Sequence, residues 1–546
     1  MDVILNSILT AYFLVITVLY PLFIQDGYHG IGNTKFSFFR NATLMTAGVL
    51  LFLLVIKLLY EVFCQRKKIS IAEHYRKLSV TDWFVYGYLV SVLLSYLFTL
   101  YQKEAFWGAE GWYMGLCSQL MFIGIYFFFS RYFIWRKEFL YAILGCSFLI
   151  FLLGVLNRYS IYPIELAGQV PTFISTLGNI NWFCGYLAVI SPLGVAWYWN
   201  GTETDEDTGE AYLWAKRVIS GIYVWIAFLV GIIQGSSSVS LVFASVFLLL
   251  FYHSFDENGK MLRFLELCLL FIFSCQTARI LRYVPGMKMN YEGSLSNLLA
   301  EGNLILYIGI GILILYLLMH ILIRKGQFRI SRYRKLRCAS WVIGIGLPVL
   351  YTILLIANSL LPNGLPGLAG QSAFTFNQSF ANSRGATWES AFLAYLHMSP
   401  SQKLVGIGPD CYAKYIYAVP DLAERVYAWF GDARLTNAHN EWLTILVNIG
   451  GLGLFSYAGI FISTAVRFLR KAKEQPMLYL FAAAVLSYCI HNMVSFQQVL
   501  STPFVFLIMG LGEGMCRQSS GLDNKPYSDP FSLDGKIKPR LTCNGH

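Results

Sequence analysis

Apolar segments of about 20 residues recur along most of the chain, and this recurrence limits the possible folds more than any other feature. A helix of roughly 20 apolar residues crosses the hydrocarbon core of a membrane, which is about 30 Å thick. We therefore predict an all-α, polytopic bundle of about 14 transmembrane helices, within a range of about 12 to 14. The predicted spans are 5–24, 42–63, 82–100, 112–130, 138–156, 180–199, 217–234, 238–254, 262–278, 302–323, 340–361, 441–465, 477–495 and 501–516.

The composition agrees with a membrane environment. Of the 546 residues, 56% are hydrophobic and only 13% are charged, which is more apolar surface than one soluble core requires. The first apolar segment has no basic flank before it and no small-residue cleavage site after it. It is therefore interpreted as a retained span and not as a signal peptide.

The distribution of lysine and arginine predicts the orientation, because cytoplasmic loops carry an excess of these residues. With a cytoplasmic N-terminus, the inner segments hold more than twice as many as the outer loops. The basic runs at 64–77 and 324–337 then lie inside, where we interpret them as topology anchors against anionic lipid and not as nucleic-acid sites. The net charge of +11 requires no acidic partner.

The chain divides into five parts by this pattern. The longest outer segment, 362–440, is expected to contain two short helices, at 384–398 and at 420–430, where Asp421 and Glu424 have the spacing of a capping box. The acidic stretch 201–210 is interpreted as a solvated cytoplasmic loop. The five parts are N-terminal transmembrane helices (1–174), central transmembrane helices (175–361), a large external loop (362–440), C-terminal transmembrane helices (441–517) and a disordered cytoplasmic tail (518–546).

Metal and nucleotide motifs are absent from the sequence. The eleven cysteines are scattered, with no CxxC pair and no His/Cys spacing typical of zinc. No GxxxxGK[ST] stretch is present either. We expect neither a bound metal nor a cofactor, and no use of nucleotide energy.

The stretch RLTNAHNEWL (434–443) places polar residues at the outer end of an apolar span. The imidazole of His439 has an ordinary pKa near 6.5 and is a candidate acceptor for a substrate proton. The alternative is a polar anchor at the membrane interface. Asn437 is a candidate helix cap, and Asn440 and Glu441 are interpreted as residues of the first helical turn, where a carboxylate suits the helix dipole.

Several cations share the predicted outer face with His439. Arg384 begins one external helix, and Arg279, Arg282 and Lys288 lie in the outer loop 276–290. The planar guanidinium group matches the oxygens of a phosphate, which points to a phosphorylated ligand. Contact with lipid headgroups is the alternative for Arg279, Arg282 and Arg384.

Four pieces of the chain, in order, resemble the O-antigen ligase and O-antigen polymerase family. The first piece, STLGNINWFCGYL (175–187), resembles the family's Gly-Asn-x-Asn start of a helix, and NSRGATW (382–388) with GIGPDCY (406–412) resembles its Ser-x-Arg and Trp followed by Gly-x-Gly-Pro. The third piece, AHNEWLTILVNIGGLGL (438–454), resembles its His-Asn-Glu element before a Gly-Leu-rich span, and LSYCIHNMVSF (486–496) resembles its closing helix pair.

The resemblance implies a metal-independent glycosyltransferase of the bacterial plasma membrane, with cytoplasmic termini and an extracytoplasmic active site. Its donor would be a polyprenyl-diphosphate-linked oligosaccharide, polymerised or transferred to a glycan, lipid or protein acceptor for a surface polysaccharide. Carried over to this chain, His439 would take the proton of the acceptor hydroxyl and Arg384 would stabilise the diphosphate. Such a donor is already activated, so the protein mainly has to position two substrates and neutralise charge.

One position departs from the family. In QGSSS (234–238), Ser237 stands where the family often has an arginine, and Arg279 or Arg282 is the hypothesised replacement. The alternative for the three serines is a helix cap or close helix packing. The further substrate-binding candidates are Arg434, Asn440, Glu441, Asn179 and Asn181, of which the last two are also candidate caps.

Two other classes of protein remain open from the sequence. A transporter or flippase of polar solutes would need charged pairs inside the spans, yet Lys57 and Glu266 are isolated there. It would also be expected to show matching broken helices in two halves, and no such symmetry is visible. A catalytically silent membrane scaffold stays possible because of Ser237.

Overall fold

The computed structural model describes residues 1–66, 77–201, 210–287, 289 and 294–519. Parts of four predicted features lie outside these residues: most of the basic run at 64–77, most of the acidic stretch 201–210, Lys288, and the tail from 520 onward. The side chains of Glu210, Ser294 to Ser296 and Ser519 are likewise not described.

Helices make up nearly all of the regular structure in the described part of the chain, which confirms the all-α prediction. The exception is a hairpin of two antiparallel strands, Phe173–Ile174 and Gly178–Asn179, with Phe173 opposite Asn179. The elements are α1 (Asp2–Leu22), α2 (Ile31–Cys64), α3 (Val80–Phe98), α4 (Gln102–Trp107), α5 (Leu116–Tyr132), α6 (Lys137–Arg158), β1 (Phe173–Ile174), β2 (Gly178–Asn179), α7 (Ile180–Asn200), α8 (Glu210–Ile233), α9 (Val239–Ser254), α10 (Asn258–Leu281), α11 (Ser294–Ala300), α12 (Leu304–Arg324), α13 (Ile330–Leu360), α14 (Phe380–His397), α15 (Pro400–Val405), α16 (Tyr412–Ala418), α17 (Pro420–Phe430), α18 (Glu441–Lys471), α19 (Met477–His491) and α20 (Thr502–Ser519).

Ten of the described helices are long and apolar enough to cross a membrane. They are α1, α2, α3, α6, α7, α8, α10, α12, α13 and α18. Two shorter apolar helices, α9 and α19, coincide with predicted spans, and α5 and α20 coincide with two more. These helices indicate a membrane protein, while the count of fourteen and the orientation stay predictions.

The helices divide into a buried centre and an apolar periphery. The central helix α7 is 89% buried along its apolar window, whereas only 11% of the corresponding windows of α2, α12 and α13 is buried. A soluble protein rarely leaves so much contiguous apolar surface exposed. We therefore infer that α2, α12 and α13 face lipid.

The three C-terminal helices pack against the N-terminal and central helices. Helix α18 packs along α3, α20 along α5, and α19 along α7. Aromatic rings join these layers: Tyr20 and Tyr186 both contact the ring of Phe504, at centroid distances of 6.3 and 5.3 Å. Residues far apart in the chain thus form one continuous core.

The segment 362–440 contains more helices than predicted and has its own small core. Ala391 and Ala394 of α14 pack there with Ile416, Leu422 and Val426. The helices predicted at 384–398 and 420–430 are confirmed as α14 and α17. The predicted capping box at Asp421 and Glu424 is wrong, because Val419 precedes α17 and no side chain caps the helix.

Helix α18 is interrupted at Gly450, where the backbone has φ 77° and ψ −176°. The segment after α15 fills the gap: the amide of Ile407 donates to the carbonyl of Val447 at 3.2 Å, and that of Gly408 donates to Asn448 at 3.0 Å. A Cβ atom at position 450 would lie 2.3 Å from the carbonyl oxygen of Leu404. Only glycine fits this crossing of two backbones.

Gly450→Ala is therefore expected to destabilise the protein, by about 1–3 kcal/mol from the backbone conformation alone. Displacement of Leu404 adds to this loss, since a Cβ atom cannot approach a carbonyl oxygen to 2.3 Å. Thermal unfolding in detergent measures the effect as a lower midpoint. Gly451→Ala is the matched control, because the nearest atom to its added Cβ lies at an ordinary 3.5 Å. Equal midpoints for the two variants would contradict the prediction.

Candidate functional site

A cleft of about 580 Å³ opens at the end of the bundle where α7 begins. Five of the catalytic and substrate-binding candidates from the sequence line it together: His439, Arg384, Arg434, Asn179 and Asn181. The remaining lining residues are Thr172, Ile180, Gly235, Ser236, Ser237, Asn382, Ser383, Thr387, Phe430, Ala433 and Leu435. The volume is within the range typical of small-molecule sites, roughly 300–1,000 Å³.

Arg384 is held in the cleft by an unusual turn of backbone. The three residues before it, Ala381, Asn382 and Ser383, all have positive φ, at 50°, 61° and 66°. Each such non-glycine residue costs about 1–2 kcal/mol. The residue after it, Gly385, is equally constrained, since a Cβ atom there would lie 1.8 Å from the carbonyl oxygen of Asn377. Strain of this kind persists only where the surrounding structure holds it, and it is concentrated at functional sites.

The guanidinium group of Arg384 is anchored by backbone carbonyls. Its Nε donates to Val494 at 3.0 Å and its Nη1 donates to Ala381 at 2.9 Å. No carboxylate of the described residues forms a salt bridge with it. Burial lowers its pKa from the usual value, but a guanidinium stays protonated at neutral pH. The group therefore brings a fixed positive charge to the cleft wall.

His439 precedes α18 and is tied both to its own turn and to α14. Its backbone lies in the left-handed region at φ 47°, and its amide donates to Oδ1 of Asn437 at 2.9 Å. Thr387 of α14 donates its hydroxyl to the carbonyl of Ala438 at 2.9 Å. The imidazole packs edge-on against Phe496, with the ring centroids 5.1 Å apart.

The environment of His439 keeps its imidazole neutral. Burial, and then the positive charge of Arg384, lower its pKa from 6.5 to about 4. Neither ring nitrogen has a hydrogen-bond partner in the part of the chain that the structure describes. A neutral imidazole beside a fixed cation can accept a proton from a bound hydroxyl group.

The asparagines at the start of α7 have a structural role as well as a place in the cleft. Oδ1 of Asn179 accepts the amide of Asn181 at 2.8 Å and so caps the helix. The capping interpretation of Asn179 is confirmed. Both side chains also line the cleft, where amide groups suit sugar hydroxyls.

The three serines before α9 form a compact turn that brings Ser237 to the cleft. The hydroxyls of Ser236 and Ser238 lie 2.9 Å apart, and Ser240 donates to the carbonyl of Ser237 at 2.6 Å. No side chain caps α9, although Ser238 precedes it. The serines thus stabilise the turn through one another, and the predicted cap is not formed.

Sequence reasoning missed a buried cation next to this turn. Arg158, at the end of α6, is 0% exposed. It donates through Nη1 to Pro171 at 2.6 Å and through Nη2 to the carbonyl of Gln234, so it joins the segment before β1 to the serine turn. The sequence contained a signal for this residue, because an arginine at the predicted outer end of a span runs against the inside-positive bias.

The other predicted cations lie away from the cleft. Arg279 donates to the carbonyl of Gly302 at 3.1 Å and to Oδ1 of Asn303 at 3.0 Å. Arg282 donates to Oδ1 of Asn297 at 2.7 Å. Both therefore connect α10 to the segment before α12, and neither lines the cleft, so the structure does not bring them to Ser237.

Asn440 and Glu441 also stand behind the cleft wall. Asn440, and not Asn437, caps α18, because its side chain accepts the amide of Leu443 at 3.0 Å. Glu441 is 1% exposed and accepts hydrogen bonds from Tyr457 at 2.5 Å, from Tyr488 at 2.9 Å and from the amide of Asn492. These bonds tie the beginning of α18 to α19 and hold the chain that carries His439.

No protein-family model matches the chain, and no curated protein sequence matches it.

Proposed function

We propose that this protein is a membrane glycosyltransferase that polymerises or ligates polyprenyl-diphosphate-linked oligosaccharides, as the O-antigen ligase and polymerase family does. The observation that supports it best is the cleft in which a neutral imidazole, His439, shares a wall with the arginines Arg384 and Arg434. These groups are the base and the cations that such a transfer needs.

The reaction is a displacement at the anomeric carbon of the donor sugar. The acceptor hydroxyl loses its proton to the imidazole of His439 as its oxygen forms a bond to that carbon. The bond from the same carbon to the diphosphate oxygen breaks, and the electron pair leaves with the diphosphate. Arg384 and Arg434 stabilise the charge that develops there. General-base catalysis and charge stabilisation by fixed groups thus together lower the barrier to glycosyl transfer.

The remaining residues of the cleft fit the rest of the substrate. Amide and hydroxyl groups, from Asn179, Asn181 and Ser237, are suited to hydrogen-bond sugar hydroxyls. Arg434 lines the cleft, with 55% of its side chain exposed and its guanidinium 4.0 Å from Glu104. A diphosphate entering from the membrane would compete with that carboxylate for Arg434.

We further propose that the cleft opens to the extracytoplasmic side of the bacterial plasma membrane, with both termini inside and fourteen spans. The excess of lysine and arginine in the opposite set of loops supports this orientation. A cysteine introduced at exposed Asp432 should react with an impermeant maleimide on intact cells. Native Cys338, which is exposed and precedes the apolar part of α13, should react only after permeabilisation. The reverse pattern would place the cleft in the cytoplasm and remove the proposal.

The activity itself is tested with purified protein in liposomes that contain lipid-linked oligosaccharide repeat units. Longer glycan, or glycan transferred to an added acceptor, is the expected product, with release of polyprenyl diphosphate. Solute uptake or lipid flipping without transfer would instead identify a transporter. An inert protein that leaves the substrate unchanged would support the scaffold.

The pH dependence of the transfer follows from the environment of His439. Because the pKa is lowered from 6.5 to about 4, the imidazole remains a base at pH 5, where an ordinary histidine is largely protonated. The acid limb of the rate profile is expected near pH 4 and not near 6.5. The unfolded chain takes up this proton below 6.5, so stability present above 6.5 is also lost as the pH falls through 4.

Two controls separate the imidazole from other groups. Unfolding measured at each pH shows whether the acid limb reflects a loss of structure. Asp410 has a pKa close to that of an ordinary histidine, because burial raises the pKa of its carboxyl to about 7. Hydrogen bonds from the amides of Met114 and Ala109 oppose this rise. Asp410→Asn keeps that position neutral at every pH, and the limb near pH 4 should persist. A limb near 6.5 in folded protein would contradict the role of a buried neutral His439.

A further inference from the structure

Thr387 lies between the two groups that the proposed transfer uses. It belongs to α14, one helical turn after Arg384, and it lines the same cleft as Arg384 and His439. Only 3% of this residue is exposed. Its hydroxyl group therefore has to find its hydrogen-bond partners inside the protein, on the helix that carries the cation or on the segment that carries the imidazole.

The hydroxyl of Thr387 lies within hydrogen-bond distance of two carbonyl oxygens. One is that of Arg384, at 3.0 Å, and the other is that of Ala438, at 2.9 Å. The hydroxyl has one proton to donate. The carbonyl of Arg384 lies in a helix, where the amide four residues on can be its donor. The carbonyl of Ala438 has no other donor among the described residues, so it is the acceptor that depends on Thr387.

This bond connects α14 to the segment 434–440, and no second hydrogen bond does so in the described part of the chain. Ala438 immediately precedes His439 and is 0% exposed. Its amide donates to the hydroxyl of Thr444 at 3.2 Å. Ala438 is thus held from two sides, by Thr444 of the following helix α18 and by Thr387 of α14.

The side chains of Arg384 and His439 are not hydrogen-bonded to each other within the part of the chain that the structure describes. The guanidinium donates to the carbonyls of Val494 and Ala381, and the imidazole packs against Phe496. The position of one group relative to the other therefore depends on the contacts that hold the backbone of each.

We propose that Thr387 is a positioning residue, whose hydrogen bond to Ala438 holds the base His439 beside the cation Arg384. The effect on the rate rests on the proposed glycosyl transfer, whereas the position of the imidazole can be measured without any reaction. Loss of the hydroxyl would leave the buried carbonyl of Ala438 without a donor. An unpaired buried carbonyl is costly, so the segment is expected to shift until this group reaches water. His439 follows directly in the chain and would move with it.

The pKa of His439 reports this movement. Burial, and then the charge of Arg384, lower it from 6.5 to about 4. The other ionisable groups on the neighbouring elements are Arg434 on the same segment, Glu441 at the start of α18 and His491 at the end of α19. Glu441 and His491 are each hydrogen-bonded to Asn492 and not to Thr387. An imidazole that moves toward water and away from Arg384 should therefore regain a pKa nearer 6.5.

The first measurement is the pKa of His439 in the full-length protein, from the pH dependence of hydrogen exchange at its Cε1 atom, followed by mass spectrometry. Thr387→Val removes the hydroxyl and keeps the branched shape of the side chain, whereas Thr387→Ser keeps the hydroxyl. In Thr387→Val the pKa should rise from about 4 toward 6.5. In Thr387→Ser it should stay near the wild-type value.

The second measurement is the rate of glycan transfer in liposomes. Thr387→Val should lower the turnover number about 10- to 100-fold, since a misplacement of about 1 Å can cost that much, and the Michaelis constant should change less. Thr387→Ser should recover most of this loss. The acid limb of the rate profile should move upward in Thr387→Val, together with the pKa of His439.

Thr17→Val is the matched control for the loss of a buried hydroxyl. Thr17 is 1% exposed, donates to the carbonyl of Phe13 at 2.7 Å within α1, and does not line the cleft. This variant should leave the pKa of His439 and the transfer rate unchanged. Changes as large as those of Thr387→Val would assign the effect to a general loss of stability and would overturn the proposal.

Two other results would also overturn it. One is an unchanged pKa of His439 in folded Thr387→Val, and the other is an equal change in the valine and serine variants, which would show that the hydroxyl is not responsible. A wild-type protein that transfers no glycan would remove the proposed function alone. In that case a pKa that rises in Thr387→Val and not in Thr387→Ser would still support the role of Thr387 in placing His439.

Discussion

His439→Gln should lower glycan transfer about 100-fold or more, the usual contribution of a general base. Glutamine has a comparable size and can keep the packing against Phe496, but it cannot take up the proton of the acceptor hydroxyl. The loss should lie in the turnover number more than in the Michaelis constant, because the imidazole acts on the transition state. Initial rates in liposomes with lipid-linked oligosaccharide measure both.

His397→Gln is the matched control for this variant. His397 ends α14 in the same external segment, is exposed, and does not line the cleft. Its replacement should leave the rate unchanged. Unfolding midpoints of both variants should stay close to that of the wild type, since the His439 imidazole makes no hydrogen bond with the described residues. If folded His439→Gln keeps half of the wild-type rate, the assignment of the base is wrong.

Arg384→Lys should lower the rate about 100- to 1,000-fold, as expected when a donor to developing negative charge is displaced. Lysine keeps the charge but loses the planar fork. It cannot reproduce the two bonds that anchor the guanidinium, to Val494 and to Ala381, while still presenting N–H groups to a diphosphate. A large loss despite the conserved charge would therefore show that geometry matters at this position.

The control here is Arg425→Lys, on an exposed position of α17 that does not line the cleft. It should transfer glycan at the wild-type rate. A second donor distinguishes a catalytic role of Arg384 from a structural one. A more acidic leaving group needs less stabilisation by a cation, so with such a donor the loss of rate in Arg384→Lys should be smaller. A defect of the same size with every donor would assign Arg384 to the structure of the turn.

The sequence predicted where helices lie better than where they begin. Predicted span 42–63 belongs to helix α2, which begins at Ile31 because polar residues in its first turns are satisfied by contacts that the sequence does not show. Lys35 is an example: it is 0% exposed, and its Nζ donates to the carbonyls of Tyr20 at 3.0 Å and of Pro21 at 2.9 Å. From the sequence, such a lysine is expected in a loop, whereas in the fold it is buried and connects α2 to the end of α1.

The candidate site was predicted in part. The residue types in NSRGATW and AHNEW identified Arg384 and His439, and the cleft brings them together across a separation of 55 positions. The same reasoning proposed Arg279 and Arg282 for the place left open by Ser237, because all three share one predicted face. A shared face does not place residues in contact, and the two arginines bind Gly302 and Asn297 instead of lining the cleft.

By itself, the sequence determined that this is an all-α chain with apolar helices suited to a membrane. The length and hydropathy of each segment are local properties, and they alone decide whether a helix can cross a bilayer. Only the tertiary structure decided which polar groups share a cavity. The left-handed backbone before Arg384, the break at Gly450 and the buried Arg158 all depend on hydrogen bonds and close contacts between distant segments. Those contacts exist only after packing, so no local pattern of residues encodes them.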